Sequence, residues 1–281
     1  MTDPEPQAAQ PADDTRVAEL VQTLSANPQD FPAEQEFWKE FCELPSWYFA
    51  ARPADAQAAV QAGQSGLPLS LLNAGDKKLV PVFTSPERAQ GVFGPDEPPA
   101  IVEGKLPAAL GYVCGFRGRA DGFVVNAKPG ESNGYGHFFP DLCAFYYNVK
   151  GSLPPACLDC AVDHARKTRH PQAIEMVHRV VASLEMLGVA TTNGQFAYLR
   201  DGERLLVTVF SEPQRLATLH EKNPNLKLAR ATPEQLLEVL QNGAKHPQTP
   251  IAGAALNHPD NPFAINTEQL AAAIEAKNGA A

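Results

Sequence analysis

No apolar run in this chain approaches the roughly 20 residues that a helix needs to cross a bilayer, which excludes a membrane-spanning helix. Positive charge is short as well. Lys and Arg number 23 against 32 Asp and Glu, and the resulting net charge of −9 argues against nucleic acid or an anionic membrane as partner. Cysteine is sparse and odd in number, five in 281 residues, which suits a reducing compartment better than a disulfide framework. The opening Met-Thr-Asp-Pro-Glu-Pro has neither the basic nor the apolar region of a secretion signal, so the expected location is the cytoplasm.

What the chain does have is a stretch that occurs twice. Residues 72–88 read Leu-Asn-Ala-Gly-Asp-Lys-Lys-Leu-Val-Pro-Val-Phe-Thr-Ser-Pro-Glu-Arg, and residues 199–215 read Leu-Arg-Asp-Gly-Glu-Arg-Leu-Leu-Val-Thr-Val-Phe-Ser-Glu-Pro-Gln-Arg. Leu72, Gly75, Leu79, Val80, Val82, Phe83, Pro86 and Arg88 all recur without a gap. Gly75 and Gly202, each beside an acidic residue between apolar runs, predict tight hairpins, because Gly accepts positive φ at no steric cost. The runs Leu79–Phe83 and Leu206–Phe210 predict strands. Thr84-Ser-Pro-Glu87 and Ser211-Glu-Pro-Gln214 then predict capping boxes opening short helices, the first over residues 85–93. A second echo pairs Gly122-Phe-Val-Val-Asn126 with Gly253-Ala-Ala-Leu-Asn257, two short strands ending in Asn.

These repeats predict an α/β (α+β) chain of two similar halves, each a small mixed sheet with packed helices, the halves related by a pseudo-twofold. The expected division is a disordered acidic tail at 1–12, a first domain at 13–150, a junction at 151–171, a second domain at 172–276 and a tail at 277–281. Val17, Leu20, Val21 and Leu24 mark a helix from Asp13 or Asp14 to Asn27, and Phe37, Trp38, Phe41 and Cys42 mark a second. Trp47–Ala50 reads as a strand, 51–66 as a short helix or loose insertion, and 94–99 as a loop. Leu106, Leu110 and Val113 suggest a short helix. Ile174 to Leu187 is amphipathic, with Gly188 as its stop. Thr232-Pro233 opens another helix, Phe263–Ile265 is a last strand, and Thr267 caps a final helix with Leu270 and Ile274 inward.

Chemical motifs are few. Cys157-Leu-Asp-Cys160-Ala-Val-Asp-His164 could supply three zinc ligands, with Asp163, His170 or Cys143 as a fourth, or a redox pair. A lone CxxC is common by chance, and ordinary cysteines at a domain junction are the plainer reading. Gly130-Glu-Ser132-Asn-Gly134 fits G-x-S-x-G, but the strand-then-helix setting of a hydrolase elbow is missing around it. Gly134-Tyr-Gly136 reads as loop for want of a third glycine. The basic run His164–His170 reads as a solvated linker or helix start. Arg88 and Arg215, present in both copies, are either structural ion pairs or contacts to an anion or partner; Asn126 and Asn257 are further binding candidates. No motif requires a cofactor, and no residue stands out as catalytic.

The residues 80–88, the Gly turn before them and the later strand ending in Asn are similar to the N-terminal domain of the SseB, or enhanced serine sensitivity, family of bacterial proteins. Residues 207–215 and Leu256-Asn-His-Pro-Asp-Asn-Pro-Phe263 resemble it again. Two copies in tandem depart from that family's usual layout of one copy with a different C-terminal domain. The resemblance implies an accessory, regulatory or toxin-immunity module and brings no catalytic residue or cofactor with it. The expectation is therefore a non-enzymatic protein that binds another protein, through the groove between the halves or the loops after Asn126 and Asn257. A toxin-immunity protein is one alternative, and a hydrolase or metal-dependent enzyme using Cys157, Cys160 and His164 is another.

Overall fold

The computed structural model describes residues 14–63, 68–90, 92–94, 96–127, 134–211, 215, 221, 223–245, 250–259 and 261–279. The chain divides into two compact units, residues 1–151 and 152–281, each an α/β fold. Among the described residues, no helix is long and apolar enough to cross a membrane.

The first unit opens with α1 (Asp14–Ala26) and α2 (Phe31–Glu43). Val17, Leu20, Val21 and Leu24 fall on one stripe of α1 and are buried, which is what their i, i+3, i+4, i+7 spacing requires. Asp30 starts α2 by accepting the Ala33 N–H at 3.1 Å, with Pro32 in the first turn where a missing donor costs nothing. The inward face of α2 is aromatic. Phe41 stacks on Trp47 at 4.5 Å between centroids, and Trp38 stacks on Phe145 at 4.3 Å.

Trp47 belongs to β1 (Ser46–Ala51), which is followed by α3 (Pro53–Gln61), β2 (Leu72–Ala74), β3 (Lys77–Val82), the four-residue α4 (Pro86–Ala89) and β4 (Ala100–Lys105). Then come α5 (Ala108–Cys114), β5 (Gly122–Val125), β6 (Tyr135–His137) and α6 (Phe139–Lys150). The sheet runs β2-β3-β5-β6, with β3 and β5 parallel and the outer pairs antiparallel. β1 and β4 form a separate antiparallel pair, tied to the end of β3 by two backbone hydrogen bonds between Tyr48 and Phe83 at 2.8 and 2.9 Å.

The second unit begins with α7 (Leu158–Thr168) and α8 (Pro171–Ser183), then β7 (Leu187–Thr192), β8 (Gln195–Phe196), β9 (Tyr198–Asp201), β10 (Arg204–Phe210) and β11 (Lys227–Ala231). It closes with α9 (Pro233–Ala244), β12 (Ile251–Leu256), β13 (Phe263–Ile265) and α10 (Thr267–Gly279). Its sheet runs β11-β7-β10-β12-β13, with β9 on β10 and β8 on β7. The order β9-β10-β12-β13 follows β2-β3-β5-β6 pair by pair, with the central pair parallel and the flanking pairs antiparallel in each.

Two glycine positions explain why the same letters return. Gly75 and Gly202 hold φ of 65° and 61° at the hairpin turns. Gly122 and Gly253 let the central strand approach its edge strand: a Cβ would stand 2.3 Å from the His137 carbonyl oxygen in one unit and 2.4 Å from that of Ile265 in the other.

Several elements differ from the sequence reading. The Thr84 hydroxyl caps no helix, because it is engaged by Asn126; Ser85 is the N-cap residue, and the helix expected to reach residue 93 stops after one turn. Ser211 is engaged by Asn257, and residues 212–214 of the second expected box lie outside the described residues. Gly188 does not end a helix. It sits in β7, where the chain leaves α8 at Leu184 in an extended conformation. Asn266, not Thr267, caps the last helix, accepting the Glu268 and Gln269 N–H groups at 2.9 and 3.2 Å. Gly134-Tyr-Gly136 leads into strand β6 instead of remaining loop, and residues 151–171, expected as a junction, contain α7 and the first residue of α8.

Candidate functional site

The polar residues that recur in the sequence converge where the parallel central strands end. In the first unit Asn126 follows β5 with a left-handed backbone, φ 56°. Its Oδ1 accepts the Thr84 main-chain N–H at 3.0 Å and the Thr84 hydroxyl at 3.3 Å, and its own N–H donates to the Val82 carbonyl at 2.9 Å. One side chain thus closes the end of β3 onto the end of β5. Asn suits the position because its short polar side chain tolerates the left-handed region better than most. Arg88, in the single turn of α4, donates from Nε to Asp14 at 3.3 Å, both side chains about one third exposed.

The second unit repeats this arrangement and enlarges it. Asn257, φ 52° and 1% exposed, accepts the Ser211 N–H at 2.9 Å and its hydroxyl at 3.2 Å, and donates its N–H to the Val209 carbonyl at 2.9 Å. Arg215 pairs with Asp159, near the start of α7 as Asp14 is at the start of α1. Asp159 Oδ1 also accepts from Asn257 Nδ2 at 3.3 Å and Asn261 Nδ2 at 3.4 Å. Asn261 Oδ1 in turn accepts from Arg166 at 3.1 Å. The carboxylate is surrounded by donors, while Arg215 Nε, buried beside it, has no hydrogen-bond partner among the described residues.

The zinc candidates are placed differently from what their spacing allows. Cys157 ends a short 3-10 turn before α7, while Cys160 and His164 lie one turn apart on α7 itself. Their ligand atoms do not all come within 4.8 Å of one another. Ser132 and Gly130 of the G-x-S-x-G match lie outside the described residues, as does most of the loop after Asn126.

Sequence reasoning missed Asp14 and Asp159 as partners of the two arginines, and Thr84 and Ser211 as partners of the two asparagines. A usable signal existed. An Asp opens the first helix of each half, and the repeated hydroxyl falls directly after the repeated strand.

Titratable groups elsewhere are shifted by burial. Enclosure lowers the pKa of His137 despite the opposing pull of Glu34 and Asp141, and lowers that of His178 despite its hydrogen bond to the Ile174 carbonyl. Burial pushes the Cys42 thiol up to about 12, against a smaller opposing effect of Lys150. Tyr135 is raised by burial and by donating to Glu34 at 2.9 Å.

No family model matches this chain, and no curated protein matches it. Among solved structures it is similar to Anabaena Tic22 (protein transport), at 11% identity over 83% of this chain and 88% of that one, with a TM-score of 0.19. A likeness that slight bears on neither fold nor function.

Proposed function

We propose that the chain is a non-enzymatic, cytoplasmic protein-binding or regulatory module, and that its partner adds to the outer edge of the β strands. The observation behind this reading is an edge strand in each unit carrying an exposed apolar side chain. Val102 on β4 and Leu228 on β11 are 41% and 38% exposed. β4 pairs with β1 and β11 with β7; among the described residues no strand occupies the other edge of either. An open edge offers main-chain donors and acceptors to an added strand, and an alternate side chain supplies the anchor. Glu103, Lys105, Lys227 and Arg230 on the same strands discourage indiscriminate pairing. The recurrent Arg and Asn side chains favour a non-enzymatic role, since their hydrogen bonds are directed inward to Asp14, Thr84, Asp159 and Ser211. The SseB resemblance points the same way.

The test is affinity purification from native extract with the wild type and with Val102→Lys/Leu228→Lys. The wild type should retain a stoichiometric partner that the double variant loses while keeping its circular dichroism spectrum. Equal capture by both would contradict the edge reading, and turnover of a small molecule by the isolated chain would contradict the non-enzymatic one.

A further inference from the structure

The frames built on Arg88 and Arg215 occur in both units, so they belong to what the fold needs. A feature present in only one unit is not required by that fold, and the clearest is cationic. The last turn of α7 carries Arg166 and Lys167, and Arg169 follows in a left-handed conformation, φ 53°. The corresponding turn of α1 has no basic residue, although cations there would favour the helix dipole equally. Helix stabilisation alone therefore does not account for three cations in four residues on one helix end of a chain whose net charge is −9.

These cations also border a hollow. Arg166, Lys167 and Arg169 line a shallow, open hollow of about 660 Å³ whose apolar wall is Ile174 on α8 and Phe263 on β13. Among the described residues Asp163 is the one acidic group in the lining, against three cations. Arg166 is held in place: its guanidinium donates to Asn261 Oδ1, and Asn261 is fixed by Asp159, which also takes Arg215. Positioned cations beside an apolar wall complement an anion attached to an apolar body. The three cations are exposed, so the charged side of an occupant stays at the surface, as it does for a segment of a larger chain.

We infer that this hollow binds an acidic peptide segment of a protein partner, seating one aromatic or aliphatic side chain against Phe263 and Ile174 and its carboxylates on Arg166, Lys167 and Arg169. The inference rests on the protein-binding reading and adds the chemistry of one recognised segment.

The experiment uses the full chain and a fluorescein-labelled peptide, Glu-Glu-Phe-Glu-Glu, with Gln-Gln-Phe-Gln-Gln as the neutral probe, followed by fluorescence anisotropy. The acidic probe should bind at low salt, weaken as salt rises, and exceed the neutral probe in affinity. Lys167→Gln/Arg169→Asn should weaken it about tenfold, as expected for losing two exposed charge pairs, with Asn chosen because it accepts the left-handed backbone. Asp163→Asn should tighten it. An unchanged thermal midpoint shows that the double variant is folded. Absence of acidic-probe binding at low salt, equal binding of the neutral probe, or unchanged affinity in the folded double variant would overturn the inference. Such a failure leaves the edge-strand reading standing if Val102→Lys/Leu228→Lys still loses its partner, so the two are separable.

Discussion

Asn257 Oδ1 accepts both the main-chain N–H and the hydroxyl of Ser211, at 2.9 and 3.2 Å, and so fastens the end of β12 to the end of β10. The same bonds join Asn126 to Thr84 at 3.0 and 3.3 Å. Asn257→Ala should lose those bonds and leave in the left-handed backbone a side chain that lacks the polar group by which Asn tolerates it, destabilising the second unit by about 3 kcal/mol. Asn257→Gly keeps the backbone unstrained and should cost about 1 kcal/mol less. Urea denaturation followed by circular dichroism distinguishes them, and equal losses would show that backbone conformation plays no part.

The two Arg–Asp pairs should differ in weight. Asp159 is four-fifths enclosed and serves Arg215, Asn257 and Asn261, whereas Asp14 serves a more exposed Arg88. Removing a partner from an enclosed pair strands a charge, so Asp159→Ala should cost about 3 kcal/mol, and Asp14→Ala under about 1 kcal/mol because water screens the pair. Denaturant midpoints for the two variants decide the ordering; reversal would contradict it.

Acid should weaken the second unit through His178. Its Nδ1–H donates to the Ile174 carbonyl at 2.8 Å, and its Nε2 accepts the Asn266 N–H at 3.1 Å, which fixes the neutral ring. A proton on Nε2 would oppose that N–H, and burial lowers the folded pKa further. A depressed pKa means that the unfolded chain takes up the proton first. The contribution is therefore full above about pH 6.5 and lost as pH falls through the folded pKa, by at most about 1.4 kcal/mol per pH unit. Thermal unfolding from pH 7.5 to 5 should show this decline, and His178→Gln should flatten it. His137, also lowered by burial, should leave a residual slope in the variant.

Cysteine chemistry should be silent in the native protein. All five thiols are buried, which excludes reagent, and burial pushes the Cys42 thiol up to about 12. Ellman's reagent should titrate almost nothing before denaturant and five groups after it. Rapid native reaction of Cys157 or Cys160 would restore interest in them as a reactive pair.

Much of the fold was legible because its signals are local. The α1 stripe, the aromatic face of α2, the Gly75 and Gly202 turns and the strands ending at Asn126 and Asn257 each carry their pattern within a few residues. The strands β4 and β11 were not legible. Ala100–Lys105 and Lys227–Ala231 are short, mixed in polarity and defined by pairing with β1 and β7, which are distant in sequence. The repeated polar residues were visible as repeats, but their partners were hidden: in sequence Thr84 and Ser211 each stand two residues before a proline, where a capping role is the local expectation. Long-range bonds from Asn126 and Asn257 override it.

The most direct measurement is hydrogen–deuterium exchange on the chain alone and in complex with the partner recovered by the wild type. Partner binding should slow exchange of the main-chain amides in residues 100–105 and 227–231, the open edges that hold Val102 and Leu228. Unchanged exchange in both strands, with protection confined to other residues of the complex, would contradict the account.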